Sequence, residues 1–267
     1  MTAFTDLRGR LAIVTGAGSG IGEALAQSAS DRGMAVLAID VNADRLDQLV
    51  DKVSKSGGSI DAAVASVADS EGIAKVAADA EAQHGPAGLI VNNAGVEFTG
   101  RVWETDATDW RKLLDINVNG VFNVTRAFLP CLLASGQPGH VVMLSSVGGL
   151  TIGARQSAYI VSKYAVRVLA QCLRADLDET NANVGVTVVL PGPVRTNIFA
   201  DASAADATSD TYREQMSANL ARDGLEPTEI ARMTYAAVES GEFWVHSHPD
   251  MSRYAVERQH LEFMSAL

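Results

Sequence analysis

Tyr159 and Lys163 stand four residues apart in "SAYIVSK" (157–163), inside a stretch whose apolar residues recur at helical spacing. On one helix that separation stacks a phenol and an ammonium on the same face, one turn apart. A free phenol ionises at a pKa of roughly 10, too high for a base near neutrality. A neighbouring ammonium favours the phenolate and draws that value down toward a useful range. The pair therefore reads as an acid–base device acting on an oxygen, although a lone Tyr-x-x-x-Lys also fits plain helix decoration. A hydroxyl to hold that oxygen is offered by Ser145 or Ser146, which close the apolar run "HVVMLSS" upstream.

Such a device needs a scaffold, and the rest of the chain supplies the pattern of one. Apolar runs at 10–15, 34–40, 60–64, 88–92, 140–146, 184–190 and 242–247 read as strands, with amphipathic helical segments between most of them. Near-continuous apolar strands alternating with helices predict an α/β fold, a Rossmann-like doubly wound parallel sheet of about seven strands with helices on both faces. No composition break divides residues 1–267, which are expected to form one dinucleotide-binding and catalytic domain. The stretch 197–225, rich in Ala, Ser and Asp, is expected to be a mobile excursion over the substrate with a helix or two, and 250–267 an amphipathic tail helix.

The first strand runs into "TGAGSGIG", Thr15 to Gly22. Glycines let the backbone turn tightly and approach a pyrophosphate, and the following helix N-terminus offers unpaired N–H groups. The G-x-G-x-x-G frame fails, because its sixth place holds Ile21 or Glu23; the frame that fits is T-G-x-x-x-G-x-G. Gly16, Gly18, Ser19, Gly20, Ile21 and Gly22 are thus candidate cofactor contacts, against the plainer reading of a ligand-free tight turn. Asp40 closes the second strand eighteen residues past Gly22, where a carboxylate accepts the ribose hydroxyls of NAD and repels a 2′-phosphate. No Arg or Lys follows immediately to offset it, so the expected cofactor is NAD.

With that frame set, "NNAG" (92–95), "YIVSK" (159–163) and "PGPVRT" (191–196) fall in order, and the chain resembles a short-chain dehydrogenase/reductase of the compact single-domain type from residue 7 to about 247. The resemblance implies that Asn93, Ala94 and Gly95 pass the adenine ribose and that Pro191, Gly192, Val194 and Thr196 cradle the nicotinamide and its phosphates. It selects Ser146, twelve residues ahead of Tyr159, to hold the substrate oxygen. It makes Asn117 in "LLDINVNG" the residue that holds a water beyond Lys163, with Asn119 as its nearby competitor. Tyr159 and Lys163 would also touch the cofactor, the lysine at the nicotinamide ribose. One departure is Ser66, where the family often places an adenine-binding Asp; Ser66 can still hydrogen-bond, and Val67 can still donate its backbone N–H. The implied reaction is hydride transfer between the cofactor and a carbinol or carbonyl carbon, with Tyr159 as acid or base.

Other residues tempt without convincing. His246 and His248 are read as sharing a strand face, but no third ligand accompanies them, so no metal is expected. Trp103 and Trp110 are expected to pack a helix, and Glu97, two residues after "NNAG" where it could face the pocket as a polar handle, is expected instead to be a solvated loop carboxylate. Cys131 and Cys172 read as reduced, buried thiols.

Against 32 acidic residues stand only 21 Lys and Arg, and the net charge of −11 excludes a basic nucleic-acid footprint. The opening segment carries charges where a leader needs apolar residues, and no apolar run approaches the roughly 18 residues of a membrane span. A cytoplasmic protein, off the membrane, is expected. Small and apolar residues in "SVGGLTIGA" (146–154), with Ile198 and Phe199, favour a small hydrophobic alcohol or ketone substrate. No cluster of Arg or Lys in the pocket segments offers a handle for a phosphate or carboxylate, Arg155 and Arg195 being the exceptions. Helices near 106–134 and 156–180 would pair subunits into a dimer or tetramer. Two other readings stand beside this one, an NADPH-dependent ketoacyl-type reductase and a non-catalytic NAD-sensing module.

Overall fold

The computed structural model describes residues 7–267; residues 1–6, the start of the segment read above as lacking a leader, lie outside the described residues. The strands are β1 (Leu11–Thr15), β2 (Ala35–Asp40), β3 (Ser59–Val64), β4 (Ala87–Asn92), β5 (Phe98–Thr99), β6 (Gly139–Leu144), β7 (Val184–Leu190), β8 (Ser203–Ala204) and β9 (Trp244–His246). Seven form one parallel sheet in the order β3-β2-β1-β4-β6-β7-β9, and β5 pairs with β8 separately. Each of the seven apolar runs enters the large sheet. β1, β4, β6 and β7 are buried along their whole length because helices cover both faces, whereas edge strand β3 is largely exposed.

The helices are α1 (Gly20–Asp31), α2 (Ala43–Lys55), α3 (Ser70–His84), α4 (Ala107–Leu114), α5 (Gly120–Ser135), α6 (Ser157–Glu179), α7 (Ala207–Asp223), α8 (Pro227–Ser240) and α9 (Pro249–Ser265). Side chains alternate across a strand, so each strand feeds two cores. Leu11 and Ile13 join Ile73, Val124, Phe128 and Val166 from α3, α5 and α6. Ala12 and Val14 join Leu25, Leu46, Leu49, Ile230 and Val238 from α1, α2 and α8. A fully buried side chain such as Ile13 is worth roughly 1.5–3 kcal/mol. Between β1 and β4 the chain order reverses direction, which opens a crevice at the carboxyl ends of the strands.

The helix expected near 106–134 is interrupted. A π-helical turn at Asp115–Asn119 joins α4 to α5 and turns Asn117 into the interior. Most of the 197–225 stretch is the well-formed helix α7, capped by Asp206 through the Ser209 N–H. The tail is α9, tied to its own subunit where Gln259 donates to the Leu150 carbonyl.

Three expectations about ordinary residues need correction. Cys131 is only half-buried and Cys172 is exposed, both outside any disulfide, because the inward face of α5 is taken by Val121, Val124, Phe128, Leu129 and Leu132 and that of α6 by Ala158, Ile160, Ser162, Lys163, Val166, Ala170 and Leu177. Trp103 lies in a turn and is 80% exposed, with only Trp110 packing against Phe98, Leu113 and Ala158. β9 ends at His246, so His248 leaves the strand face; each imidazole meets a serine, Ser252 and Ser247 respectively. Among the described residues no group of three His, Cys, Asp or Glu is placed to hold a metal ion, and no helix is long and apolar enough to cross a membrane.

Candidate active site

The crevice is a cleft of about 510 Å³ that runs from Asp40 to Tyr159. At its first end β1 hands the chain to α1 through the glycine loop. Gly20 adopts φ +56, a left-handed conformation that favours glycine. A side chain at Gly22 would place its Cβ 2.0 Å from the Gly16 carbonyl oxygen, so the helix can only start this close to the strand without one. Ser19 is the N-cap of α1, yet its side chain makes no capping bond, so the first-turn N–H groups have no side-chain cap where the helix meets the cleft. Ile21 lines the same wall.

Asp40 anchors this end. Its Oδ2 accepts from the Gly18 N–H at 2.9 Å and its Oδ1 from the Asn42 N–H at 3.0 Å, which fixes the carboxylate and leaves further lone pairs toward the cleft. Ser66 and Val67 line the floor; Ser66 Oγ accepts from the Ala68 N–H, and Asn123 holds the Val67 carbonyl. Asn93 braces the loop: its Nδ2 donates to the carbonyls of Thr15 (2.9 Å) and Gly16 (3.2 Å), and Thr15 Oγ1 accepts from the Asn93 and Ala94 N–H groups. On the opposite wall the Gly192 N–H is tied to Ser247 Oγ, Val194 is buried, and Thr196 packs over Gly20. Pro191 accepts the Val147 N–H, which joins this wall to the serine turn. The uncapped helix N-terminus, the glycine cradle and the held carboxylate together fit a dinucleotide.

At the deep end, Tyr159 and Lys163 rise from the first turns of α6 on one face. Lys163 Nζ lies 5.4 Å from the Tyr159 ring centre and donates to the Leu144 carbonyl at 3.0 Å. Ser146 caps the 3-10 turn Val147–Gly149, accepting from the Gly148 N–H at 3.0 Å, and its hydroxyl lowers the pKa of the neighbouring Tyr159 phenol. Ser145 points away, donating to the Lys163 carbonyl at 2.7 Å. Asn117 is buried, and its amide clamps both the N–H and the carbonyl of Val96 while also donating to Ser162. Asn119 is exposed and bonded to Asp115. A Cβ at Gly95 would meet Asn117 Oδ1 at 3.4 Å and Lys163 Nζ at 3.5 Å, so the two groups flank one glycine.

Electrostatics here run against the simple expectation for the tyrosine. Burial raises the Tyr159 pKa, the Glu97 carboxylate raises it further, and only the Ser146 hydrogen bond opposes them. Burial also lowers Lys163 to about 8, partly offset by Glu97. In the ligand-free protein burial thus holds the phenol's pKa up and the ammonium's down, so their spacing alone does not make the phenol acidic.

Glu97 is the second correction at this site. It is 4% exposed rather than solvated, and burial pushes its pKa up to about 8 against the hydrogen bonds of Gln156 and Phe98 and the charge of Lys163. Asn117 clamps Val96 and β5 pairs with β8, and the two restraints draw residue 97 beneath the start of α6. Its place two residues after "NNAG" was the available signal. Sequence reasoning also passed over Arg45, which lines the cleft near Asp40 and pairs with Asp201 at 3.1 Å, and over Met216 and Met251, brought to the cleft by α7 and α9. Arg155 and Arg195 are spent on Ser209 and Glu226 and do not line it.

Fold and site define a doubly wound α/β protein with a nucleotide-type cleft that ends in a serine, a tyrosine and a lysine. The description "short chain dehydrogenase" belongs to the family model that matches residues 10–207, and the chain belongs to that family of oxidoreductases. It is 32% identical over 247 residues to the 1-deoxy-11-beta-hydroxypentalenate dehydrogenase of Streptomyces exfoliatus, covering 91% of this chain and 85% of that one. A short-chain dehydrogenase/reductase from Burkholderia phymatum, solved in complex with NAD, superposes with a TM-score of 0.93 at 27% identity, covering 98% of this chain and 97% of that one. A metagenomic short-chain oxidoreductase solved in complex with NADP gives a TM-score of 0.73 at 25% identity, with 90% and 96% covered.

Proposed function

We propose that the protein is an NAD(H)-dependent dehydrogenase that interconverts a hydrophobic secondary alcohol and its ketone. The observation that carries this reading is the meeting of Ser146, Tyr159 and Lys163 at the deep end of a cleft whose other end is held by Asp40. A bound nicotinamide dinucleotide supplies the hydride acceptor or donor. Gly16, Gly18, Ser19, Gly20, Ile21 and Gly22 would hold its pyrophosphate, Asp40 its adenosine ribose, and Ser66 and Val67 its adenine. Ala94 and Gly95 would line its path, and Pro191, Gly192, Val194 and Thr196 its nicotinamide end. Asp40 supports NAD, since its carboxylate repels a 2′-phosphate; the structural neighbours include complexes with NAD and with NADP.

In the oxidative direction Ser146 Oγ exchanges its long 3.4 Å bond to the Pro191 carbonyl for the substrate oxygen. Tyr159 Oη takes the hydroxyl proton. Lys163, protonated below about pH 8, supplies positive charge beside the buried phenolate, and Asn117 would hold a water through which the proton leaves. Val147, Ile198, Phe199, Met216, Leu220 and Met251 support an apolar substrate. α7 would act as its lid. Exposed Phe122 and Leu133 on α5 and Val161 and Val168 on α6 support subunit pairing through those helices. A cytoplasmic location belongs to the same proposal.

The test is turnover of a panel of hydrophobic secondary alcohols and ketones with NAD(H) or NADP(H), followed by absorbance of the reduced cofactor. Tyr159→Phe is expected to lose about a thousandfold in kcat while NAD affinity stays. Full activity in that variant, or silence of the wild type across the panel, contradicts the reading.

A further inference from the structure

Glu97 is a buried carboxyl with no salt-bridge partner in the described structure, on the wall of the same cleft as Ser146, Tyr159 and Lys163. Burial of such a group is costly unless its hydrogen-bonding capacity is used. Its Oε1 accepts the Phe98 N–H at 3.1 Å and its Oε2 the Gln156 side-chain amide at 2.9 Å. A carboxylate has about four acceptor positions, so roughly half its capacity is left for something in the cleft.

Gln156 is not free to turn. Its Oε1 accepts from the Tyr212 hydroxyl of α7 at 3.0 Å, so its NH₂ group is committed to Glu97. A chain of bonds thus runs from the helix over the cleft, through Gln156, to a carboxyl aimed beside the phenol. Its charge is felt at both Tyr159 and Lys163. The surrounding wall is largely apolar, with Val96, Ile160, Phe199 and Met216.

We propose that Glu97 is a specificity-determining residue that binds a second hydroxyl of the alcohol substrate, so that the preferred substrate is a diol or hydroxy-ketone rather than a plain hydrophobic alcohol. A hydroxyl suits this position in either protonation state, because it donates to a carboxylate and accepts from a carboxylic acid. An ammonium would instead meet the Lys163 charge in the same pocket. The inference rests on the alcohol-dehydrogenase reading and names the substrate class for that site.

The experiment compares kcat/KM of the NAD-loaded enzyme for matched pairs: phenylethylene glycol and its one-carbon-longer diol homologue against α-methylbenzyl alcohol, and trans-cyclohexanediol against cyclohexanol, with phenylethanolamine as the cationic control. The wild type is expected to favour a diol over its mono-alcohol by at least about tenfold, since a buried polar group left unpaired discriminates strongly. Glu97→Leu is expected to bring that ratio near one, and Glu97→Gln to keep part of it. Gln156→Leu, which releases the carboxyl without removing it, should lower the ratio too and serves if Glu97→Leu does not fold. A wild-type ratio near one, a variant that slows both alcohols by one factor, or preference for phenylethanolamine alone overturns the proposal and leaves the alcohol-dehydrogenase reading standing. Silence of the wild type toward every alcohol despite NAD binding overturns that reading, and this inference with it.

Discussion

At the Asp40 end of the cleft the backbone shapes the surface: glycine conformation, a helix N-terminus and main-chain N–H groups held by one carboxylate. At the Glu97 end side chains from α6, α7 and α9, far apart in sequence, converge on a buried carboxyl, a phenol and an ammonium. The first end admits few substitutions and suits a constant ligand. The second can change its lining without disturbing the sheet, as expected of a part that sets substrate choice on a shared scaffold.

The contrast breaks most sharply at glycines. Gly22→Ala pushes a methyl group into the Gly16 carbonyl and is expected to cost roughly 3 kcal/mol or more and to abolish NADH binding, read by thermal unfolding and cofactor fluorescence. At the substrate end a Cβ on Gly153 would meet only Ile160 Cδ1 at 3.6 Å, so Gly153→Ala should stay within about 0.5 kcal/mol and show its effect in KM.

Charge offers the next test. Asp40→Asn keeps one of the two acceptor oxygens but removes the repulsion of a 2′-phosphate, and the ratio of NADP to NAD affinity should rise by roughly tenfold or more, about 1.4 kcal/mol. An unchanged ratio would mean that Arg45, close by, already governs the choice.

pH distinguishes the two ends further. Glu97 ionises at about 8 in the folded protein against an ordinary value of 4.5. The folded chain therefore keeps a proton that the unfolded chain releases, so this stabilisation is present in full below 4.5 and is lost as pH rises toward 8. Urea unfolding at the two ends of that window should show a stability loss that Glu97→Gln reduces. The smallest effect belongs to the exposed Arg45–Asp201 bridge: Asp201→Asn should change stability by less than about 1 kcal/mol.

The same contrast explains what the sequence made legible. Strands buried on both faces and a glycine loop between strand and helix are local patterns, and residues 10–40 carry them in order. Tyr159 and Lys163 were legible for the same reason, one helix face being a local property. Strands β5 and β8, two residues each, have no readable period, yet they help draw Glu97 inward. α7 buries only Ser209 and Leu220, so the polar stretch announces a helix without marking its bounds. Asn117 turns inward through a π turn that a steady helical reading passes over. The shifts at Tyr159, Lys163 and Glu97 depend on mutual burial, which spacing alone does not contain.

The most direct measurement is label transfer. The wild-type protein is mixed with NAD and a secondary alcohol carrying deuterium on the carbinol carbon, and the reduced cofactor is analysed by mass spectrometry. The account predicts deuterium on the nicotinamide ring, and its loss in Tyr159→Phe at unchanged NAD affinity. Tight NAD binding with no label transferred from any alcohol in the panel would contradict it.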